Sequence, residues 1–182
     1  MPQASDGEKS VVRGNDDDNV VRPAYDPDGS KMYGRGGDDN MQGGRYDDDI
    51  IGGSGDDTAY GGDGADTFRF YGDQIEGSSD YDRVYDLDFS EGDHIFFADF
   101  GISFSDMEGA NALMGGRGVS ISSMEGLANL VETYSQITAE KVRDDGLLIT
   151  IDNGNGQTEV IEFSHAWSDY LAATTPTEVV LV

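Results

Sequence analysis

The chain has 182 residues, which suits one domain or a repeat domain with an attached lobe. Aspartate and glutamate number 37 against 11 lysines and arginines, and the net charge of -26 disfavours nucleic acids and anionic membranes as partners. Cysteine is absent, so disulfides cannot stabilise the fold, while 26 residues are glycine and only 36% are hydrophobic. Such a chain needs another source of folding free energy, and its charge makes cations the expected source.

The start of the chain is polar. Residues 1–10 lack the apolar core of a cleaved secretory signal, and we interpret residues 1–12 as a polar tail. No apolar run approaches the ~18 residues that a membrane span requires. We therefore expect a chain without a membrane span that, if exported, does not use an N-terminal signal.

Four consecutive nine-residue units occupy residues 34–69: GRGGDDNMQ, GGRYDDDII, GGSGDDTAY and GGDGADTFR. Each holds aspartate at position six and an apolar residue at position eight, a fixed period that indicates a repeat architecture. Glycines allow tight turns whose carbonyls approach a cation, and aspartate supplies the hard oxygen that Ca²⁺ prefers. The pattern predicts an all-β dominated fold, a parallel β-roll of calcium-binding nonapeptides. A solvated acidic linker would not place an apolar residue at every ninth position.

Two degenerate nine-residue units precede these four. In RGNDDDNVV, residues 13–21, the pattern puts Asp18 at the metal position and Val20 inward, and three residues then interrupt the period. In YDPDGSKMY, residues 25–33, Ser30 replaces the aspartate and Met32 points inward. We expect weak or absent metal binding at the second of these units.

Two nonapeptides make one coil, so units eighteen residues apart are expected to stack. Asp39 should then face Asp57 along one edge of the roll, and Asp48 should face Asp66 along the other. These are the strongest predicted ligand pairs, and Asp18 over Asp39 is a weaker one. The predicted set also includes turn positions within the repeats, namely Gly34, Gly36, Gly43, Asp47, Gly52, Gly53, Gly55, Gly61, Gly62 and Gly64.

The repeats resemble the RTX (repeats-in-toxin) family, the haemolysin-type calcium-binding proteins exported by type I secretion. The resemblance covers residues 13–97, and GADTFRF at residues 64–70 is similar to the end of the last full repeat in secreted members. It implies a roll over 13–97, several bound Ca²⁺ ions, an extracellular location and a position in the C-terminal region of a type I secreted protein.

The segment after the repeats also resembles the family. GSSDYDRVY, residues 77–85, is similar to a degenerate unit with Asp82 at the metal position and Val84 inward, and DLDFSEGDHIFF, residues 86–97, is similar to the closing segment. Asp82, Asp88 and Asp93 are further candidate calcium ligands. Exposed turn aspartates are an equally good interpretation of these three residues.

Beyond residue 101 the period ends and a mixed globular pattern begins. Ser122 and Glu125 have capping-box spacing, and apolar residues at helical spacing predict a helix over 123–135. LLITIDNGNGQTEVIEF, residues 147–163, predicts a β-hairpin whose DNGNG tip is a turn rather than a metal loop. We expect residues 98–175 to form a small α+β lobe, with one helix and one hairpin, that caps the open end of the roll.

The chain ends in EVVLV, an acidic residue before four apolar ones. This ending is compatible with a final edge strand. The family resemblance implies instead an uncleaved secretion signal over residues 176–182, recognised by the type I secretion apparatus.

Catalytic signatures are lacking in the sequence. There is no HExxH, no cysteine nucleophile and no GxSxG, so we do not expect an enzyme. The sequence favours a non-catalytic calcium-binding module whose Ca²⁺-induced folding supports type I secretion and extracellular stability. The alternative is an interaction or adhesion module of a larger secreted enzyme or adhesin, with a polysaccharide or cell-surface ligand. The candidate residues for contact with such a ligand are Arg35, Arg45, Tyr60 and Tyr71.

Overall fold

The computed structural model describes residues 8–23, 28–107 and 116–174. Within them the chain is mostly strands, with two helices and two sheets. The secretion signal expected over 176–182 lies outside the described residues. No helix in the described part is long and apolar enough to cross a membrane.

The two sheets are built by strands that alternate between them along the chain. One sheet has the order β1-β3-β5-β7-β9-β10, and the other has the order β11-β12-β13-β8-β6-β4-β2. The strands are β1 (Ser10–Arg13), β2 (Val20–Val21), β3 (Ser30–Gly36), β4 (Asn40–Gly44), β5 (Asp49–Ser54), β6 (Thr58–Gly62), β7 (Thr67–Tyr71), β8 (Ser79–Val84), β9 (His94–Ala98), β10 (Gly118–Ile121), β11 (Ile137–Lys141), β12 (Leu147–Asp152) and β13 (Thr158–Phe163).

Strands β1 to β9 form a roll. Alternate strands pair in parallel, so two nonapeptides complete one coil. Each strand sends at least one apolar side chain into the space between the sheets, because successive side chains in a strand point to opposite faces. The parallel β-roll is confirmed, and the predicted inward residues of five units are all buried: Met32, Met41, Ile50, Ala59 and Phe68.

The first unit differs from its predicted register by one residue. Val21, which is 3% exposed, pairs with Met41 and faces the core, whereas Val20 is 65% exposed. The prediction that Val20 points inward is therefore wrong. Both positions are valine, so hydrophobicity could not distinguish them, and a slip of one residue moves a side chain to the other face. The interruption after this unit adds two residues to the period, not three.

The roll begins earlier than the expected boundary at Arg13. Strand β1 starts at Ser10 and pairs in parallel with β3, so that Val12 lies beside Met32. Val12 packs against the hydrophobic core, and the Ser10 hydroxyl is 3.0 Å from that of Ser30. The end of the expected polar tail is thus the first strand of the sheet.

The C-terminal part extends both sheets. The predicted hairpin is present as β12 and β13; β13 pairs in parallel with β8, and β10 pairs antiparallel with β9. Both pairings cover strand edges that the roll would otherwise expose. Helix α1 spans Met124–Thr133 and is capped by the Ser123 hydroxyl, which accepts from the Gly126 N–H, so the cap expected at Ser122 is one residue off.

The lobe is larger than the predicted one helix and one hairpin. It also contains β10, β11 and helix α2 (Trp167–Thr174), which packs against α1. The core runs continuously from the roll into this lobe, since Phe68, Phe97, Phe163 and Leu127 belong to one cluster of buried residues.

Arg35 occupies a strained backbone position that provides a stability test. Its φ is 93°, and the paired Gly53 adopts a φ of 117°. A side chain in this left-handed region costs roughly 1–2 kcal/mol. We expect Arg35→Gly to raise the free energy of unfolding by about that amount relative to Arg45→Gly, a control that removes the same charge at a position without positive φ. Urea denaturation in saturating calcium measures the difference, and equal values for the two variants would contradict the prediction.

Candidate metal centre

Buried aspartates form two rows, one along each edge of the roll. The Asp39 N–H donates to Asp57 Oδ1 at 2.8 Å, and the Asp48 N–H donates to Asp66 Oδ1 at 2.7 Å. Each carboxylate therefore bridges to the coil before it, across eighteen residues. The structure brings Asp39 to Asp57 and Asp48 to Asp66 as expected, and their role as calcium ligands stays a prediction.

Both rows continue beyond the regular repeats. The Asp57 N–H donates to Asp82 Oδ1 and the Asp66 N–H donates to Asp93 Oδ1, each at 2.9 Å. Asp82 and Asp93 thus occupy row positions. Asp88 does not: it is exposed, and its Oδ1 accepts from the Ser90 N–H at 2.7 Å in a turn.

The upstream end of the first row is Asn19, not Asp18. The Asn19 N–H donates to Asp39 Oδ1 at 2.7 Å, as Asp39 itself does to Asp57. Asp18 lies one position earlier and is exposed, where its Oδ1 accepts from the Asp38 N–H at 2.9 Å. Asp18 therefore lies one residue outside the row, by the same shift in register that exposes Val20, and its role as a metal ligand stays a prediction. Asn19 was missed because DDDN offers three aspartates beside it.

A second, more exposed set of carboxylates ties neighbouring turns together outside the rows. Asp47 Oδ1 accepts from the Ala65 N–H at 2.9 Å, and Asp38 Oδ1 accepts from the Asp56 N–H at 3.0 Å. Asp47, predicted as part of the metal set, belongs to these turn aspartates. Asp86 has a similar role that the sequence pattern did not reveal, because its two oxygens accept from the N–H groups of Gly61 and Gly62.

In three of the row aspartates the second carboxylate oxygen has no hydrogen-bond donor. The Oδ2 atoms of Asp39, Asp57 and Asp66 are buried without a partner. Each sits beside the glycine that opens its own unit. A β-carbon on Gly34 would overlap Asp39 Oδ2 and the Gly52 carbonyl oxygen; one on Gly43 would overlap the Gly61 carbonyl oxygen and Asp48 Oδ2. A carboxylate and a carbonyl oxygen therefore converge on a space that glycine leaves open.

The remaining predicted glycines shape the turns. Four of them adopt positive φ between 100° and 122°, in a region that side chains rarely enter, and their α-carbons lie against the backbone of the preceding coil. These are Gly53, Gly55, Gly62 and Gly64. At Gly36 the nearest atom to an added β-carbon would be the Ser54 hydroxyl oxygen, at 3.2 Å, so Gly36 is less constrained.

Burial makes these carboxylates costly to ionise. It raises the pKa of Asp57 to about 9, with the charge of Asp82 adding to the effect, and it raises the pKa of Asp66 to about 7. The pKa values of Asp39 and Asp48 are raised by burial as well. Like charges stacked in a buried row need protons or cations between them.

The donor chemistry fits calcium held by paired carboxylates and carbonyls. In the described residues no three His, Cys, Asp or Glu side chains come together as a metal cluster. Hard oxygen donors that include backbone carbonyls are nevertheless the ligands that Ca²⁺ takes. The convergence at Gly34 and Gly43 supplies such donors from two successive coils.

Comparison with known families supports this interpretation. Residues 33–68 match the model of the RTX calcium-binding nonapeptide repeat, in four copies. The recognition of the repeats is confirmed for this segment, and RTX repeats bind calcium. Searches of curated proteins and of solved structures gave no significant match.

Adjacent glycines in one unit provide a matched test of the oxygen convergence. An alanine at Gly43 would fill the space between the Asp48 carboxylate and the Gly61 carbonyl, whereas a β-carbon at Gly44 meets nothing within 4 Å. Overpacking of this kind costs about 1–3 kcal/mol. We expect Gly43→Ala to raise the calcium midpoint of folding roughly tenfold, and Gly44→Ala to leave it nearly unchanged. Circular dichroism during calcium titration measures both, and matching midpoints would refute the assignment.

The raised pKa values predict how the calcium-free chain responds to pH. Because the folded pKa values of Asp57 and Asp66 exceed the ordinary 3.8, the folded state binds more protons than the unfolded state. Their contribution to stability is fully present below about pH 4 and is lost as the pH rises through about 7 and about 9. In calcium-free buffer, the free energy of unfolding should fall between pH 5 and pH 9. Asp57→Asn should flatten this fall more than Asp63→Asn, an exposed control; a rise with pH would contradict the prediction.

Proposed function

We propose that this chain is a non-catalytic calcium-binding module that folds when it binds calcium. One observation carries the proposal: the buried, donor-free Oδ2 atoms of Asp39, Asp57 and Asp66. They lie in a segment that matches calcium-binding repeats. The best sites are those that pair Asp39 with Asp57 and Asp48 with Asp66, with carbonyl oxygens of the opening glycines as further ligands.

Calcium would supply what the sequence lacks for folding. Each of the four regular repeats adds only one apolar side chain to the core, and the chain carries a net charge of -26. Self-repulsion disfavours the compact state without cations, and an ion that binds only the folded state adds its binding free energy to stability. Folding and calcium binding are therefore one coupled process in this proposal.

The coupling suits export through a type I secretion apparatus. Extracellular calcium modules bind at ~10⁻⁴ to 10⁻³ M, so such sites stay empty in a cell and fill outside it. The chain would stay unfolded during passage and fold after release. Residues 176–182 are proposed as the secretion signal, and the chain as part of a secreted, extracellular protein.

A surface groove gives the interaction alternative some support. This open groove of about 940 Å³ contains aromatic and basic side chains from the roll and from the lobe: Tyr81, Arg83, Tyr85, Lys141, Arg143 and His165. Tyr60, one of the residues named for this role, stacks on Tyr85 with ring centroids 4.7 Å apart. Stacking faces beside cations would suit an acidic polysaccharide. The groove also contains Asp144 and Glu162, which would oppose an anionic ligand.

A calcium titration with matched variants tests the proposed function. In calcium-free buffer at neutral pH, circular dichroism should show a largely unfolded chain, which gains strand structure in millimolar Ca²⁺. Loss of one buried charged partner costs about 1.5–3 kcal/mol, so Asp57→Asn should raise the calcium midpoint tenfold or more. Ser30→Ala and the exposed Asp63→Asn should shift it much less.

The opposite results would decide against the proposal. A chain equally folded with and without calcium would exclude coupled folding and favour the interaction alternative. Equal midpoints for Asp57→Asn and Ser30→Ala would show that the rows are not the binding sites.

A further inference from the structure

Two buried carboxyl groups meet at the seam between the roll and the C-terminal lobe. Strand β8 of the roll pairs in parallel with β13 of the lobe hairpin. Asp82 on β8 is 7% exposed and Glu159 on β13 is 3% exposed, and both side chains lie on the inner face of the sheet. The two carboxyl groups lie within hydrogen-bonding reach of each other. The longer side chain of Glu159 reaches Asp82 although its register partner is Asp80.

When ionised, this contact requires a positive charge, and the described residues that act most strongly on it supply none. Two ionised carboxylates have no proton to share, and Glu159 Oε1 is buried without any hydrogen-bond partner. The charges that act on the pair come from Asp80, Asp57 and Asp56, all of them acidic. Arg83 follows Asp82 in the chain, but its guanidinium binds Glu162 at 3.0 Å on the other face of the strand.

The two aspartate rows end differently. The second row ends at Asp93, whose Oδ1 accepts from the Asp66 N–H and whose Oδ2 accepts from the Asp88 N–H. Both of its oxygens are therefore satisfied by backbone. The first row ends at Asp82, and the group that follows it is a carboxyl from the lobe, with an oxygen left free of donors. Within the described residues, the lobe thus meets the first row with an unsatisfied carboxyl oxygen.

We propose that Asp82 and Glu159 hold a calcium ion at this seam, so that the lobe supplies a ligand to the last site of the first row. The assignment rests on the proposed calcium binding by the roll, and it adds a site outside the nonapeptides. Carboxylate oxygens are hard donors that suit Ca²⁺, and one ion would neutralise both groups. It would also satisfy Glu159 Oε1 and fasten β13 to β8.

Counting ions in the full chain tests the seam site. Native mass spectrometry and calorimetric titration with CaCl₂ should show one calcium fewer in Glu159→Leu than in the wild type, because leucine keeps the bulk and removes the oxygens. Glu159→Gln keeps one ligand oxygen and should weaken one site at least tenfold. The control is Glu140→Gln, an exposed change on β11, which should leave the ion count and the affinities unchanged.

The possible results separate this site from the proposed function. If wild type and Glu159→Leu bind the same number of ions with the same affinities, the seam site is refuted while calcium binding by the roll stands, and a shared proton then explains the contact. If the wild type binds no calcium, both proposals fail. If Glu159→Leu does not fold, Glu159→Gln decides, and unchanged affinity in that variant also refutes the site.

Discussion

The fold depends on how buried carboxylates of like charge are kept together. Each row aspartate accepts a backbone N–H from the neighbouring coil with one oxygen, and Asp39, Asp57 and Asp66 leave the other oxygen without a donor. The hydrogen bond aligns the coils. The buried oxygen without a donor carries an electrostatic cost, which burial makes large. In the proposed function, cations that enter the rows offset this cost and make folding favourable.

The repeats made the roll predictable. A period of nine with aspartate at position six and an apolar residue at position eight fixes which residues lie in the rows and which face the core. Met41, Ile50 and Phe68 point inward as expected, and Asp39 meets Asp57. Prediction of the register failed where neighbouring residues gave no signal or a misleading one. Hydropathy cannot order Val20 and Val21, and charge favoured Asp18 over the neutral Asn19; the pairing of β2 with β4 fixes the register of both pairs.

The lobe was less predictable because its elements are defined by distant partners. The hairpin has a local signal in its turn, and it was found, whereas β10 and β11 exist only through pairing with β9 and β12. Glu159 carried no motif in the sequence. Its position depends on the parallel pairing of β13 with β8. This pairing places the Glu159 carboxyl group beside a row that begins some 140 residues earlier, at Asn19.

The spacing along the rows shows what the architecture holds constant. Successive contacts span 20, 18 and 25 residues in the first row, and the second row ends with a span of 27. The chain between two contacts can thus lengthen by half a coil without a change in the hydrogen bond that joins successive row residues. Insertions at the turns should be far better tolerated than any change between an aspartate and the inward residue two positions later. A search for a strict period will then underestimate the length of chain that forms such a roll. In this chain the family match ends at residue 68, whereas strands of the same roll continue to Ala98.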